Sequence, residues 1–157
     1  MPDAAEHQAG GALLVCSPGG HLLQMLRLEP AWRQLRPTWI TLEAADSSHL
    51  LREERVVFAK GPTNRSLRAL LANLLLAWRV VRRERPAAIL STGAALAVPF
   101  FLVGKLHGCR LVYVESLTRT DELSLAGKLV YPFADAFFVQ WPGAAKRKRA
   151  RYVGGLL

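Results

Sequence analysis

The sequence predicts a doubly wound parallel α/β sheet. Short apolar runs recur along the chain, and stretches with helical apolar spacing separate them. The first run ends in a glycine turn, "SPGGH" (17–21), a strand-turn-helix device that presents backbone N–H groups to an anion. No internal repeat is evident, and no linker marks a second domain. At 157 residues the chain is long enough for one domain with a proper core and short for a two-domain enzyme of ordinary size. Residues 1–10 read as a short disordered lead and residues 11–157 as the single domain.

Residues 12–16 form a continuous apolar run, the pattern of a strand buried on both faces. Residues 17–20 are a turn. From His21 to about residue 35, Leu22, Leu23, Met25, Leu26 and Leu28 suit a helix laid on a sheet, with Pro30 as a break or kink. Residues 38–42 read as a second strand. Residues 46–54 read as a short helix whose opening "DSSH" offers N-cap residues, and 56–58 as a third strand. "GPTNRS" (61–66) is a loop.

Residues 67–85 carry the clearest helix. Leu67, Leu70, Leu71, Leu74, Leu75, Trp78 and Val81 recur at helical spacing, Arg68, Arg79, Arg82, Arg83 and Arg85 supply the other side, and Pro86 stops it. Two placements fit: a leucine face packed into the core under a solvated basic face, or a leucine face lying on a bilayer. Residues 87–90 are a strand, "STG" (91–93) a turn repeating the first device, and 94–107 a helix. Residues 110–115 are a strand with Glu115 at its carboxyl end. After a polar loop, 123–131 is a helix and 136–141 the last apolar strand. The basic run "KRKRAR" (146–151) lacks interleaved aromatics and a nucleic-acid fold motif, so no nucleic-acid partner is expected. It suits anionic lipid or a solvated turn.

Lys and Arg outnumber Asp and Glu by 21 to 12, a formal charge of +9. That surface suits nucleic acid, an anionic bilayer or phosphorylated ligands, and charge alone does not choose. Cys16 and Cys109 lack metal-ligand spacing and fall in or beside apolar runs, as buried free thiols do. The first residues have neither the basic start nor the apolar core of a signal peptide. Residues 87–104 carry no charge, but Ser91, Thr92, Gly93 and Pro99 interrupt them, so strand, loop and buried helix fit better than a membrane span.

Ligands of open α/β sheets bind at the carboxyl ends of the strands. Three features fall there: the "SPGGH" turn with His21 in the first helical turn, the "STG" turn, and Glu115. Each also has a bland reading, as a surface histidine beside a structural turn, an ordinary connection and a solvated loop residue. Glu43 follows the second strand about 20 residues past the glycines, where a dinucleotide-binding protein keeps a ribose-binding acid. "SPGGH" is not G-x-G-x-x-G, so a nucleotide-binding oxidoreductase domain ranks low. His7, His49 and His107 cluster with no carboxylate or thiol, so no metal site is expected.

"SPGGH", "STGAALAVP" and "YVESLTRTDELSLAGKLVYPFADAFFVQWPG" (113–143) together resemble the acceptor-side subunit of two-part glycosyltransferases. That group includes the bacterial exopolysaccharide proteins PssD and CpsF and the eukaryotic membrane subunit of the second N-acetylglucosaminyltransferase of dolichol-linked glycan assembly. A wider similarity runs to MurG. The resemblance implies a Rossmann-like sheet equivalent to the N-terminal, acceptor-binding half of a GT-B enzyme. It implies the acceptor half of an inverting transferase that moves a sugar from a UDP-sugar to a polyprenyl-diphosphate-linked saccharide. The donor-binding subunit would be a second chain, without which this one should be inactive. His21 and Glu115 become candidate catalytic residues. Ser17, Gly19, Gly20, Ser91, Thr92 and Gly93 become candidate contacts to the acceptor and its diphosphate. Neither a metal nor another cofactor is implied, only the UDP-sugar as donor substrate. With no transmembrane helix expected, the protein would sit peripherally on the cytoplasmic face of the membrane. The alternative is a non-catalytic membrane scaffold for the donor-binding chain.

Overall fold

The computed structural model describes residues 10–63 and 66–156. Residues 1–9 of the expected lead, and Asn64 and Arg65 of the 61–66 loop, lie outside the described residues. Among the described residues seven strands form one sheet: β1 (Ala12–Cys16), β2 (Thr38–Thr41), β3 (Val56–Phe58), β4 (Ala88–Gly93), β5 (Arg110–Val114), β6 (Ala136–Val139) and β7 (Ala150–Tyr152). Their order is β3-β2-β1-β4-β5-β6-β7, and every neighbouring pair is parallel. The expected doubly wound sheet is therefore the observed one, with its topological switch between β1 and β4. β1 is apolar throughout because both of its faces are covered.

Among the described residues six α-helices cover the sheet: α1 (Gly20–Arg27), α2 (Glu29–Trp32), α3 (Ala45–Leu50), α4 (Leu67–Glu84), α5 (Ala97–Leu106) and α6 (Leu125–Val130). On one face Leu22 and Met25 of α1, Trp32 and Leu51 enclose Leu14, Cys16 and Trp39. On the other, α4, α5 and α6 bury Val80, Val81, Phe100, Phe101 and Val130 against Leu13, Val15, Ile89, Leu111 and Tyr113. The expected single helix over 21–35 is two helices and a short 3-10 turn. Pro30 falls in the first turn of α2, where its missing N–H costs nothing, so it starts a helix rather than kinking one. The Trp32 indole N–H donates to the Met25 carbonyl at 2.9 Å and closes the end of α1. The helix expected over 46–54 is shorter, because Ser47 ties its start to Leu42 and Ala44 and the chain leaves helical geometry at Leu51.

The leucine stripe of α4 points outward. Its buried residues are Ala69, Asn73, Ala77, Val80 and Val81, whereas Leu67 is 76% and Leu71 65% exposed and Leu70, Leu74, Leu75 and Trp78 are also exposed. Small residues let α4 approach α5 closely. Asn73 accepts from the Lys60 N–H at 2.8 Å and donates to the Lys60 carbonyl at 2.9 Å, so even the polar residue of that stripe is satisfied inside. The core-packed placement of the leucines is corrected.

Two further expectations change. Ser91, Thr92 and Gly93 are the last residues of β4, not a turn, and all three are buried. The expected last apolar strand is followed by another: residues 146–149 of "KRKRAR" are the exposed turn that one of its readings allowed, and its end opens β7 beside β6. The Arg147 and Arg149 guanidiniums lie over the Tyr131 ring at 5.3 and 5.8 Å, and the Arg149 N–H donates to the Tyr131 hydroxyl at 2.8 Å.

Candidate functional site

At the carboxyl ends of the strands, above the switch point, the pairing of β1 with β4 slips. Val15 lies opposite Ser91 and Cys16 opposite Gly93, so Thr92 has no partner on β1. A bulge of this kind re-aims backbone groups. The Thr92 carbonyl accepts from His21 Nδ1 at 2.8 Å, and the Thr92 hydroxyl donates to the His21 carbonyl at 2.7 Å. Gly93 follows with φ +118°, and a Cβ there would lie 2.9 Å from His21 Cε1. Glycine is thus required twice, for the backbone angle and for the imidazole resting on it. A carbonyl can only accept, so the neutral ring carries its proton on Nδ1 and leaves the Nε2 lone pair free.

His21 borders a cleft of ≈ 570 Å³. Ala94, Ala95, Val98, Leu125 and Leu129 give it an apolar wall, and Ser116, Thr118, Arg119 and Ser124 a polar one. Leu125 is 74% exposed and Leu129 is exposed, so the apolar wall runs out to the surface.

Glu115 does not face the cleft as expected. It is 1% exposed, with its carboxylate turned into the loop before α6. Oε1 accepts from the Ser116 N–H at 2.9 Å, and Oε2 accepts from the Ser124 N–H at 2.9 Å and the Ser124 hydroxyl at 3.0 Å. Ser124 Oγ in turn accepts from the Gly127 N–H at 2.9 Å, which caps α6. Glu115 therefore shapes the cleft wall from behind. Beneath it Tyr113 stacks on Phe137 at 5.0 Å, and burial, helped by the Glu115 charge, pushes its phenol well above the usual range.

Ser91 and Thr92 are also behind the cleft surface rather than on it. Ser91 Oγ accepts from the Gly93 N–H at 3.1 Å, and Thr92 serves His21. The glycine turn is likewise engaged. Gly19, at φ +78°, donates its N–H to Asp46 Oδ2 at 2.6 Å. The same carboxylate adds to the burial that pushes the Cys16 thiol up to about 12. Gly20 is exposed at the start of α1, and Ser17 is half-buried just past β1.

The sequence reading missed the residues that fasten this end of the molecule. Gln24 Oε1 accepts from the Leu117 N–H at 3.1 Å and from Gln140 Nε2 at 2.5 Å. Gln140 Nε2 also donates to the Glu115 carbonyl, and Gln140 Oε1 accepts from the Leu156 N–H, both at 3.0 Å. Gln24 lay within an apolar-periodic stretch and Gln140 at the end of an apolar strand, where one polar residue draws no notice. Among the described residues no group of three or more His, Cys, Asp or Glu side chains is placed to hold a metal ion, and no helix is long and apolar enough to cross a membrane.

Residues 44–156 match the family described as "Oligosaccharide biosynthesis protein Alg14 like". The chain belongs to the Alg14 family. Over 94 residues it is 45% identical to the "UDP-N-acetylglucosamine transferase subunit ALG14" of Eremothecium gossypii, a match taking in 52% of this chain and 42% of that protein. The Yarrowia lipolytica protein of the same name is 25% identical over 181 aligned residues, 97% of this chain and 83% of its own. The human one is 33% identical over 95 residues, 55% of this chain and 44% of its own. The matched stretch thus spans less than half of the Eremothecium and human relatives. Among solved structures, Acinetobacter baumannii MurG superposes with a TM-score of 0.75 at 14% identity, covering 92% of this chain and 45% of MurG. Staphylococcus aureus MnaA, solved with UDP, gives 0.69 at 16%, covering 93% and 44%. These two likenesses are of fold. The Alg14 match takes in the β4 end, Glu115, the cleft loop and α6, while the glycine turn and His21 precede it.

Proposed function

We propose that this Alg14-family chain is the acceptor-binding subunit of an inverting UDP-sugar glycosyltransferase that extends a polyprenyl-diphosphate-linked saccharide. The observation that carries this reading is the fixed His21 ring, with its Nε2 lone pair free at a cleft having one polar and one apolar wall. The relatives' name supplies UDP-N-acetylglucosamine as the first donor to try. The relatives are named as a transferase subunit, which supports a donor site on a second chain facing the cleft.

In this reading the acceptor hydroxyl lies at His21 Nε2. As its oxygen bonds to the anomeric carbon, the bond from that carbon to the UDP oxygen breaks, UDP leaves, and Nε2 takes the hydroxyl proton. The Thr92 carbonyl, already bonded to Nδ1–H, steadies the imidazolium that forms. Glu115 keeps the Ser116–Ser124 wall in place and touches no reacting atom. No resident metal or cofactor takes part.

The exposed leucines of α4, with Leu102 and Leu106 of α5 and Leu125 and Leu129 of α6, lie on three helices packed in a row on one sheet face. That face rests on the cytoplasmic surface of a bilayer, with Arg68, Arg79 and Arg82 toward anionic headgroups. It would carry the lipid-linked acceptor to the mouth between Leu125 and Leu129. The same face favours a second reading, a membrane scaffold without chemistry. The two separate in one assay. The chain is co-purified with a donor-binding chain and supplied with UDP-N-acetylglucosamine, a panel of other UDP-sugars and a polyprenyl-diphosphate saccharide. Transfer by the pair and none by either chain alone is expected. Full-rate transfer by the donor-binding chain alone on a soluble acceptor would leave only the scaffold.

A further inference from the structure

The glycine turn is the expected seat for a diphosphate, yet an Asp46 carboxylate oxygen already holds the Gly19 N–H at 2.6 Å. A second anion there meets a negative charge. Across the cleft stands Arg119, among the described residues the one side chain of the cleft lining that carries a fixed positive charge. Its backbone is fastened while its guanidinium is not. The Arg119 N–H donates to the Ser116 carbonyl at 3.0 Å, closing a turn, and Ser116 Oγ and Thr118 Oγ1 bond each other at 3.0 Å. Leu117, inside that turn, is held by Gln24 on its N–H and by the Trp141 indole on its carbonyl, the latter at 2.6 Å. Among the described residues Arg119 has no carboxylate partner. The neighbouring acids are engaged elsewhere, Glu115 with Ser116 and Ser124, Asp121 with Thr120, and Glu122 with Lys128. A free, always-charged fork on a braced turn is suited to paired phosphate oxygens.

We propose that Arg119, flanked by the Ser116 and Thr118 hydroxyls, binds the diphosphate of the acceptor, and that the prenyl tail leaves along Leu125 and Leu129. This rests on the acceptor-binding reading above. It moves the anion from the glycine turn to the loop between β5 and α6, and leaves Asp46 as the residue that holds the turn closed.

The test uses the full chain and calorimetric titration with farnesyl diphosphate, farnesol and inorganic pyrophosphate. Wild-type protein should bind farnesyl diphosphate more tightly than either of the others. Arg119→Gln should weaken farnesyl diphosphate binding about tenfold or more and leave farnesol unchanged, while Arg119→Lys, which keeps the charge, should lose less. Asp46→Asn should stay within about twofold of wild type, since the anion does not reach it. Because the Arg119 side chain is exposed, the variants should melt like wild type; Arg119→Lys serves if the glutamine form does not fold. Equal farnesyl diphosphate binding by wild type and Arg119→Gln overturns the assignment, as does tighter binding by Asp46→Asn, which would put the diphosphate at the glycine turn. Pyrophosphate binding as tight as farnesyl diphosphate overturns the path for the tail. Wild-type protein that does not distinguish farnesyl diphosphate from farnesol overturns the acceptor reading itself.

Discussion

Gly127 sits in α6 directly over the Glu115 carboxylate. A Cβ at this position would lie 2.2 Å from Glu115 Oε2, 3.2 Å from its Cδ and 3.1 Å from Ser124 Oγ. In Gly127→Ala the carboxylate must retreat by more than an ångström to reach ordinary contact. Oε2 then loses the Ser124 N–H and hydroxyl, now at 2.9 and 3.0 Å. Glu115 is 1% exposed, so water does not replace them. Hydrogen bonds to a charged group contribute about 1.5–3 kcal/mol each. Two of them, less about 1 kcal/mol for the better helix propensity of alanine, give a net loss of about 2–5 kcal/mol. For a domain of this size that lowers the melting temperature by roughly 5–15 °C, read by circular dichroism. The cause is tested by a double-mutant cycle. In a Glu115→Ala background the obstruction is gone, and Gly127→Ala should be neutral or stabilising by up to about 1 kcal/mol. An equal penalty in both backgrounds, or a Gly127→Ala protein that melts like wild type, would refute the reasoning.

Three further outcomes follow from single features. Thr41 Oγ1 is buried with no hydrogen-bond partner among the described residues, so Thr41→Val should raise stability by about 1 kcal/mol in urea titration; a loss would mean that the hydroxyl is satisfied. The Leu111 N–H, bonded to Asp135 at 2.8 Å, is the main reason that carboxyl is held below its usual range, and Lys105 lies close by. A carboxyl lowered by folding adds stability above its unfolded value near pH 4 and loses it as pH falls through the folded value. Wild-type urea midpoints should therefore fall more steeply than those of Asp135→Asn as pH drops below about 4, and parallel curves would contradict this. Leu71 and Leu75 are exposed one turn apart on α4, so the double change to Asp should cut co-sedimentation with anionic vesicles by about tenfold or more, without lowering the melting temperature. Unchanged vesicle binding would remove α4 from the membrane face.

The order of the first six strands and their helices was legible because the apolar runs alternate with helical stretches, and the central ones, β1 and β2, are buried on both faces. What the apolar pattern could not reveal was which stripe of a helix is partnered. In α4 the small residues Ala69 and Ala77 make the contact because they allow close approach, and the larger leucines are left outside. β7 escaped because its Arg151 and Tyr152 are exposed at a sheet edge and carry no apolar run. His21, Gly93 and Glu115 lie at one end of the sheet, where the ends of apolar runs put them in the sequence, but what each side chain touches depends on backbone geometry. A one-residue slip at Thr92 turns a carbonyl toward His21, and a helix start at Ser124 turns Glu115 inward. Asp46 and Arg119 decide which loop is free to meet an anion. In the sequence Asp46 was one of the N-cap candidates of a short helix and Arg119 an ordinary polar loop residue, until the chain brought one to Gly19 and the other to the cleft.

The central claim is that His21 takes the acceptor proton through Nε2. Its most direct test is the turnover number of the two-chain enzyme carrying His21→Gln, measured at saturating acceptor and donor beside the wild-type pair. A glutamine side chain can bond to Thr92 but cannot take a proton at neutral pH. The account predicts a turnover number lower by about 10²–10⁴ with the KM for acceptor little changed. A His21→Gln pair that turns over within about twofold of wild type would contradict it.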